Sequence, residues 1–238
     1  MAEDFSQGIF SEEDRKTLKE MFDQSLKDIV EIDVYLDEKN NKETSDFAKK
    51  LGEELMKLTD KIKFYYHDAY DPKVEEEMKA KRLLLDKYGN RRGPIYVFRK
   101  YPGIIYYGTP SGEEFPIFLE DIIHVSTNHL DIDGATAKKI ASINEPIDIY
   151  VFVTPTCPYC PYMTHHVHQL AMAKSNIRGI MIEAYEFPEF SDHYKVYGVP
   201  HNVILDKDGN TLNEWEGMLP ELEMVADKIK EGLEKKEK

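Results

Sequence analysis

With 238 residues, 45 of them acidic against 31 basic for a net charge of −14, the chain repels phosphate backbones, which argues against nucleic acid or an anionic membrane as partner. Its opening, Met1-Ala2-Glu3-Asp4-Phe5, has neither the basic nor the apolar region of a secretory signal, and no apolar run approaches a bilayer span. A cytoplasmic location is expected, and the length suits two α/β units of about 110 residues better than one.

In chain order, apolar periodicity and turn residues predict a helix near Glu12 to Lys27, then strand 31–36, helix 43–58, strand 61–67, helix 74–88, strands 95–99 and 103–108, and helix 113–125. A polar segment, Val125 to Asp133, and a short helix, Ala135 to Ile143, make the join. A second series follows: strand 147–153, helix 158–174, strand 177–183, a short helix near 189–196, strands 202–206 and 211–216, and helix 219–233. Each series reads as a central sheet with helices on both faces, an α/β fold class. Basic runs such as Lys79 to Arg82 are short and read as solvated helix faces. The 32% charged content, rich in Lys and Glu, has a thermophile's character.

The two series repeat one another. A shift of 115 residues pairs Ile32-Asp33-Val34-Tyr35 with Ile147-Asp148-Ile149-Tyr150, and Asp68-Ala69-Tyr70 with Glu183-Ala184-Tyr185. Farther on the shift is 106, where Pro94-Ile95-Tyr96-Val97-Phe98 faces Pro200-His201-Asn202-Val203-Ile204. We expect units at 1–128 and 129–238.

Cys157 and Cys160, in Thr156-Cys157-Pro158-Tyr159-Cys160-Pro161, are the only two cysteines, and they stand between a predicted strand and a predicted helix. So close a pair closes too short a loop to stabilise the fold much, but it can open and close as a redox couple. At the N-terminus of a helix the free N–H groups and the macrodipole favour a thiolate. Cys157 is therefore the expected nucleophile, and Cys160, one turn on, the resolving thiol. Half of a zinc site is the rival reading, with ligands sought among His165, His166 and His168, although that spacing is tight for one tetrahedron and no metal site is assigned. Under the 115 shift the cysteines land on Lys42 and Ser45, or on Asn41 and Thr44 after a one-residue slip, so the first unit lacks thiol chemistry. No acid stands six residues before Cys157, where Val151 is found; Glu183, on the neighbouring strand, is the candidate to substitute for it in proton transfer, although it reads first as a partly exposed carboxylate at a strand end.

Gly198-Val199-Pro200, 43 residues after Cys157, resembles the cis-proline segment of the thioredoxin fold, and Cys-Pro-Tyr-Cys resembles the motif of glutaredoxins. Together with the first-unit stretch Tyr107-Gly108-Thr109-Pro110-Ser111-Gly112-Glu113-Glu114-Phe115, these residues make the chain similar to the protein disulfide oxidoreductases, or glutaredoxin-like proteins, of archaea and hyperthermophilic bacteria. The resemblance implies two tandem thioredoxin-like units and catalysis by Cys157 and Cys160. It also implies substrate contacts at Val199, Pro200, Pro158 and Tyr159. Protein thiols and disulfides are the implied substrates, no cofactor is implied, and a thioredoxin-reductase-like flavoprotein or a small thiol is the implied electron donor. Most relatives have Cys-x-x-Cys in both units, and this chain has it in one. The alternative is a peptide-binding or chaperone-like module that uses the proline-edged grooves of both units.

Overall fold

The structure is a computed structural model, and it describes residues 8–83 and 89–236. Its first half runs α1 (Glu12–Ser25), β1 (Val30–Leu36), α2 (Lys42–Leu58), β2 (Ile62–Asp68), α3 (Pro72–Ala80), β3 (Ile95–Phe98), β4 (Ile104–Tyr107), a 3-10 turn (Gly112–Glu114), and α4 (Phe115–Thr127). After α5 (Gly134–Ala141) the second half runs β5 (Ile147–Val153), α6 (Cys160–Ala173), β6 (Ile177–Glu183), α7 (Pro188–His193), β7 (His201–Leu205), β8 (Thr211–Glu216) and α8 (Leu222–Lys236).

Local chemistry explains the helix starts. Ser11 and Asp14 form a reciprocal capping box on α1, and Asp71 caps α3 ahead of a proline in the first turn. Asp133 accepts from Thr136 N–H to start α5. The helix predicted for 74–88 stops at Ala80, where Arg82 takes a positive φ of 54° that an α-helix cannot hold. The rest of that expectation, residues 84–88, lies outside the described residues.

All eight strands form one sheet in the order β2-β1-β3-β4-β6-β5-β7-β8, so two four-stranded units join edge to edge where β4 runs parallel to β6. Pairing the inner edges removes exposed backbone groups that a separate unit would leave open. Strands in the middle are buried on both faces and read as apolar runs, β5 throughout its length. The outer strands β2 and β8 are partly exposed and carry polar residues.

One face of the sheet is covered by α1, α2, α4, α5, α6 and α8, whose apolar residues form a single core that also takes in Cys157 and Cys160. The other face is covered by Met78 of α3 and Phe190 of α7, packed on Tyr35, Phe152 and their neighbours. Gly179 lets α6 approach β6 closely, since a Cβ there would stand 2.4 Å from the Val167 carbonyl oxygen. No helix among the described residues is long and apolar enough to cross a membrane.

The internal repeat is present, with one correction to its register. Val30 pairs with Ile62 and Ile147 with Ile177, so the first strands are offset by 117 residues and the second strands by 115. The two extra residues of the first unit fall in the loop between its first strand and its helix. Buried positions of α2 and α6 keep the 115 offset, which matches Cys160 to Ser45 and Cys157 to Lys42, the first residue of α2, as expected. Strand pairing, rather than the shared Ile-Asp-x-Tyr, sets the register. A slip of two residues keeps every side chain on its own face, which is why the sequence match tolerated it.

Candidate active site

The strand β5 delivers the chain to Thr154-Pro155-Thr156, and a turn closed by Cys157 N–H on Thr154 O (3.1 Å) aims Cys157 at the start of α6. The helix begins at Cys160, two residues later than predicted, so Pro158 and Tyr159 belong to the exposed loop. No side chain at Tyr159 caps α6. Instead Cys160 N–H donates to Cys157 Sγ at 3.1 Å, so the first sulfur occupies the capping position. The two cysteines are joined in a disulfide with their Cα atoms 5.5 Å apart. Both cysteines are buried, Cys160 fully and Cys157 with 6% of its surface left exposed.

Val199 and Pro200, linked by a cis peptide bond, precede β7, whose first residue His201 pairs with Phe152. That pairing sets them at the same end of the sheet as the cysteine loop. Pro200 is buried and Val199 half-buried; among the described residues no hydrogen bond engages the Val199 backbone N–H or carbonyl. Exposed rings stand around this end: Tyr159 (58%), Tyr162 (56%) and Tyr197 (87%).

A residue of the first unit, Glu114, is buried against the helix that carries Cys160. The turn Gly112–Glu114 belongs to the first unit, yet it docks on the residues before Cys157: Glu113 N–H donates to Pro155 O at 2.9 Å. Gly112 makes this possible, with φ at +58° and no Cβ, which would lie 2.1 Å from that same oxygen. The turn buries Glu114 (1% exposed) against α6 beside Thr164, one turn beyond Cys160. Burial pushes its carboxyl up to about 8; the Thr164 hydroxyl opposes the shift and the charge of Asp121 adds to it. The motif containing Glu114 supported the family resemblance, but nothing local in it announces a carboxyl reaching into the other unit.

Farther along the same seam, Asp121 of α4 is fully buried and accepts from Tyr106 Oη at 2.5 Å. Its same oxygen meets His168 Nδ1 of α6 at 2.6 Å. His168 is thereby committed to Asp121, and the cysteines to each other, so the candidate Cys2His2 cluster is not assembled. Glu183 also differs from expectation. It is buried rather than partly exposed, because it packs on Gly108 of the first unit, and burial pushes its pKa up while Glu186 N–H donates to it at 2.5 Å. Its neighbour Glu186 accepts from Thr109 N–H at 2.9 Å and is pushed up to about 7 by burial.

In the first unit the corresponding end is built differently. Ser45 stands in place of the second sulfur and accepts from Asp37 N–H at 2.9 Å. Gly93 and Pro94 again share a cis bond, but Asn41 Nδ2 donates to Gly93 O at 2.9 Å, Pro94 is buried and Gly93 lies against the backbone of Tyr35.

Residues 147–230 match a family model described as a thioredoxin domain. Over its whole length the chain is similar in fold to a protein disulfide oxidoreductase from Aeropyrum pernix K1, with 24% identity, 94% of each chain covered and a TM-score of 0.79. It is also similar to the alkylhydroperoxide reductase AhpF from Enterococcus faecalis (23% identity, 92% of this chain and 98% of that one, TM-score 0.74). The N-terminal N/C domain of that reductase matches likewise (22% identity, the same coverage, TM-score 0.73). No curated protein sequence matches. The fold is thus two tandem thioredoxin-like units, the second a thioredoxin domain with a Cys-x-x-Cys disulfide.

Proposed function

We propose that this tandem thioredoxin-like chain is a thiol–disulfide oxidoreductase acting on proteins, with residues 129–238 carrying the chemistry and residues 1–128 supplying Glu114. One observation carries the reading: a disulfide at the start of a helix whose first cysteine keeps the little exposure the pair has, while the second is sealed in the core. In the reduced form Cys157 is the nucleophile, its thiolate held by Cys160 N–H and the helix N-terminus. The thiolate attacks a substrate disulfide, forming the Cys157–substrate bond and expelling one substrate thiolate. Cys160 then loses its proton to the Glu114 carboxylate and attacks Cys157 Sγ, which expels the second substrate thiolate and restores the disulfide. Two electrons pass to the substrate, and reversing the steps oxidises a substrate dithiol.

Val199 offers its backbone to an extended substrate segment next to the buried Pro200, and the exposed Pro158 and Tyr159 flank it. Protein thiols and disulfides are the substrates. A thioredoxin-reductase-like flavoprotein or a small thiol returns the electrons, and the likeness of fold to a reductase supports the former. The rival, a peptide holder with two grooves, is disfavoured because Asn41 already occupies the Gly93 carbonyl in the first groove.

The test is reduction of insulin disulfides driven by dithiothreitol. Cys157→Ser is expected to abolish catalysis, and Cys160→Ser to trap a mixed disulfide visible on a non-reducing gel. Full activity in Cys157→Ser, or no adduct with Cys160→Ser, removes the assigned roles.

A further inference from the structure

The histidine that sequence spacing set beside the cysteines finds other company. His165, on α6 five residues past Cys160, meets His124 from the end of α4 and Asp131 from the segment before α5. His124 Nε2 lies 3.3 Å and His165 Nε2 3.6 Å from one oxygen, Asp131 Oδ2. One ligand atom from each of the three lies within 4.8 Å of the other two. His129 Nε2 is 2.8 Å from the second carboxylate oxygen. In a tetrahedral site with bonds of about 2.0–2.1 Å, neighbouring ligand atoms stand about 3.3 Å apart, so the cluster needs only small side-chain shifts to close on one ion.

Groups behind the rings hold them in place. Gln169, fully buried on α6, accepts from Asp131 N–H at 2.9 Å and has its amide nitrogen 2.9 Å from His124 Nδ1. Glu120 Oε2 stands 3.8 Å from His165 Nδ1, a buried nitrogen with no hydrogen-bond partner among the described residues. A small movement makes Glu120 the carboxylate that orients a ligating imidazole. Ordinary ion pairing does not account for the arrangement, since three imidazoles share a single carboxylate here.

We propose that His124, Asp131 and His165 bind one divalent transition-metal ion of the zinc or cobalt type at the seam between the two units, with the fourth position of the tetrahedron left to water. Imidazole nitrogens favour such an ion over calcium or magnesium, which prefer all-oxygen sites. The contact with Gln169 keeps the His124 proton on Nε2, where it faces Asp131. Ion capture moves that proton to Nδ1, which the Gln169 amide accepts by turning over and giving up its bond from Asp131 N–H. Asp131 and His165 line a cleft of about 450 Å³ that Pro158, Pro161 and Tyr162 line as well. A bound ion therefore ties α4 and the inter-unit segment to the helix that carries Cys160. The inference does not rest on the thiol chemistry, and its test uses the oxidised protein so that sulfur cannot supply ligands.

Titration calorimetry with Zn²⁺ or Co²⁺ on the full oxidised chain is expected to show one equivalent bound at micromolar concentrations, together with a raised thermal midpoint. His165→Ala and Asp131→Asn are each expected to weaken binding at least tenfold, and Cys157→Ser/Cys160→Ser to leave it unchanged. In wild-type protein, Zn²⁺ should protect His124 and His165 from diethyl pyrocarbonate, a readout that needs no substitution. Absence of saturable uptake, uptake untouched by Asp131→Asn in a folded variant, or absence of protection overturns the proposal.

Discussion

The two units share a strand order and a proline in the cis form, yet they present opposite surfaces at the same end of the sheet. In the second, the loop is short, Cys157 keeps a little exposure above a sealed Cys160 and the carbonyl before the proline makes no hydrogen bond among the described residues. In the first, the loop is two residues longer, Ser45 is tied to Asp37, and Asn41 covers the Gly93 carbonyl with its own amide. A thioredoxin-like frame thus tolerates a working site or a self-satisfied one with the same core. The difference lies in a handful of side chains whose polar groups either face a partner or are already paired.

The sharpest break in this comparison lies at the seam. Asp121 and His168 form a buried pair across it, whereas the position 115 residues before His168, Glu53, is exposed. Removing one member strands the other in the core, so Asp121→Ala is expected to cost about 3–5 kcal/mol in urea unfolding. A cost within experimental error would show that the units do not depend on this contact.

The next effect concerns the carboxyl that one unit lends to the other. Glu114→Gln is expected to slow release of the Cys157 mixed disulfide by about 10²-fold, while the initial attack is kept. Because only the carboxylate accepts a proton, the wild-type rate of this step should climb as pH rises through about 8, and the variant should lose that limb. Stability carries the opposite sign. The folded-state pKa lies above its ordinary value, so the full stabilisation is present below about 4.5 and is lost as pH rises through about 8. Stopped-flow kinetics and urea unfolding at pH 6 and 9 check both; an unchanged rate profile would return Glu114 to a structural role.

The smallest expected effect tests whether the first unit is merely closed. Asn41→Ala frees the Gly93 carbonyl and is expected to lower stability by about 1 kcal/mol, with insulin reduction unaltered. A drop in turnover would mean that the cysteine-free unit takes part in catalysis and that the contrast drawn above is wrong.

Much of this molecule was legible in order along the chain. Element types followed from periodicity and turn residues. The disulfide-forming pair stood out because no other sulfur competes, and Pro200 was marked by its distance from Cys157. These are local signals, or a single spacing between two of them. What the chain order hid was everything carried by pairing between distant segments: the 117-residue register of the first strands, the burial of Glu183 against Gly108, and the reach of Glu114 to α6. The grouping of His124, Asp131 and His165 belongs with these. The register is set by pairing within each unit, and the others arise at the seam where β4 pairs with β6 and α4 lies on α6. Periodicity says which face of an element is apolar, but only the packed structure decides which other face it meets, and burial there is what makes a carboxyl or an imidazole chemically unusual.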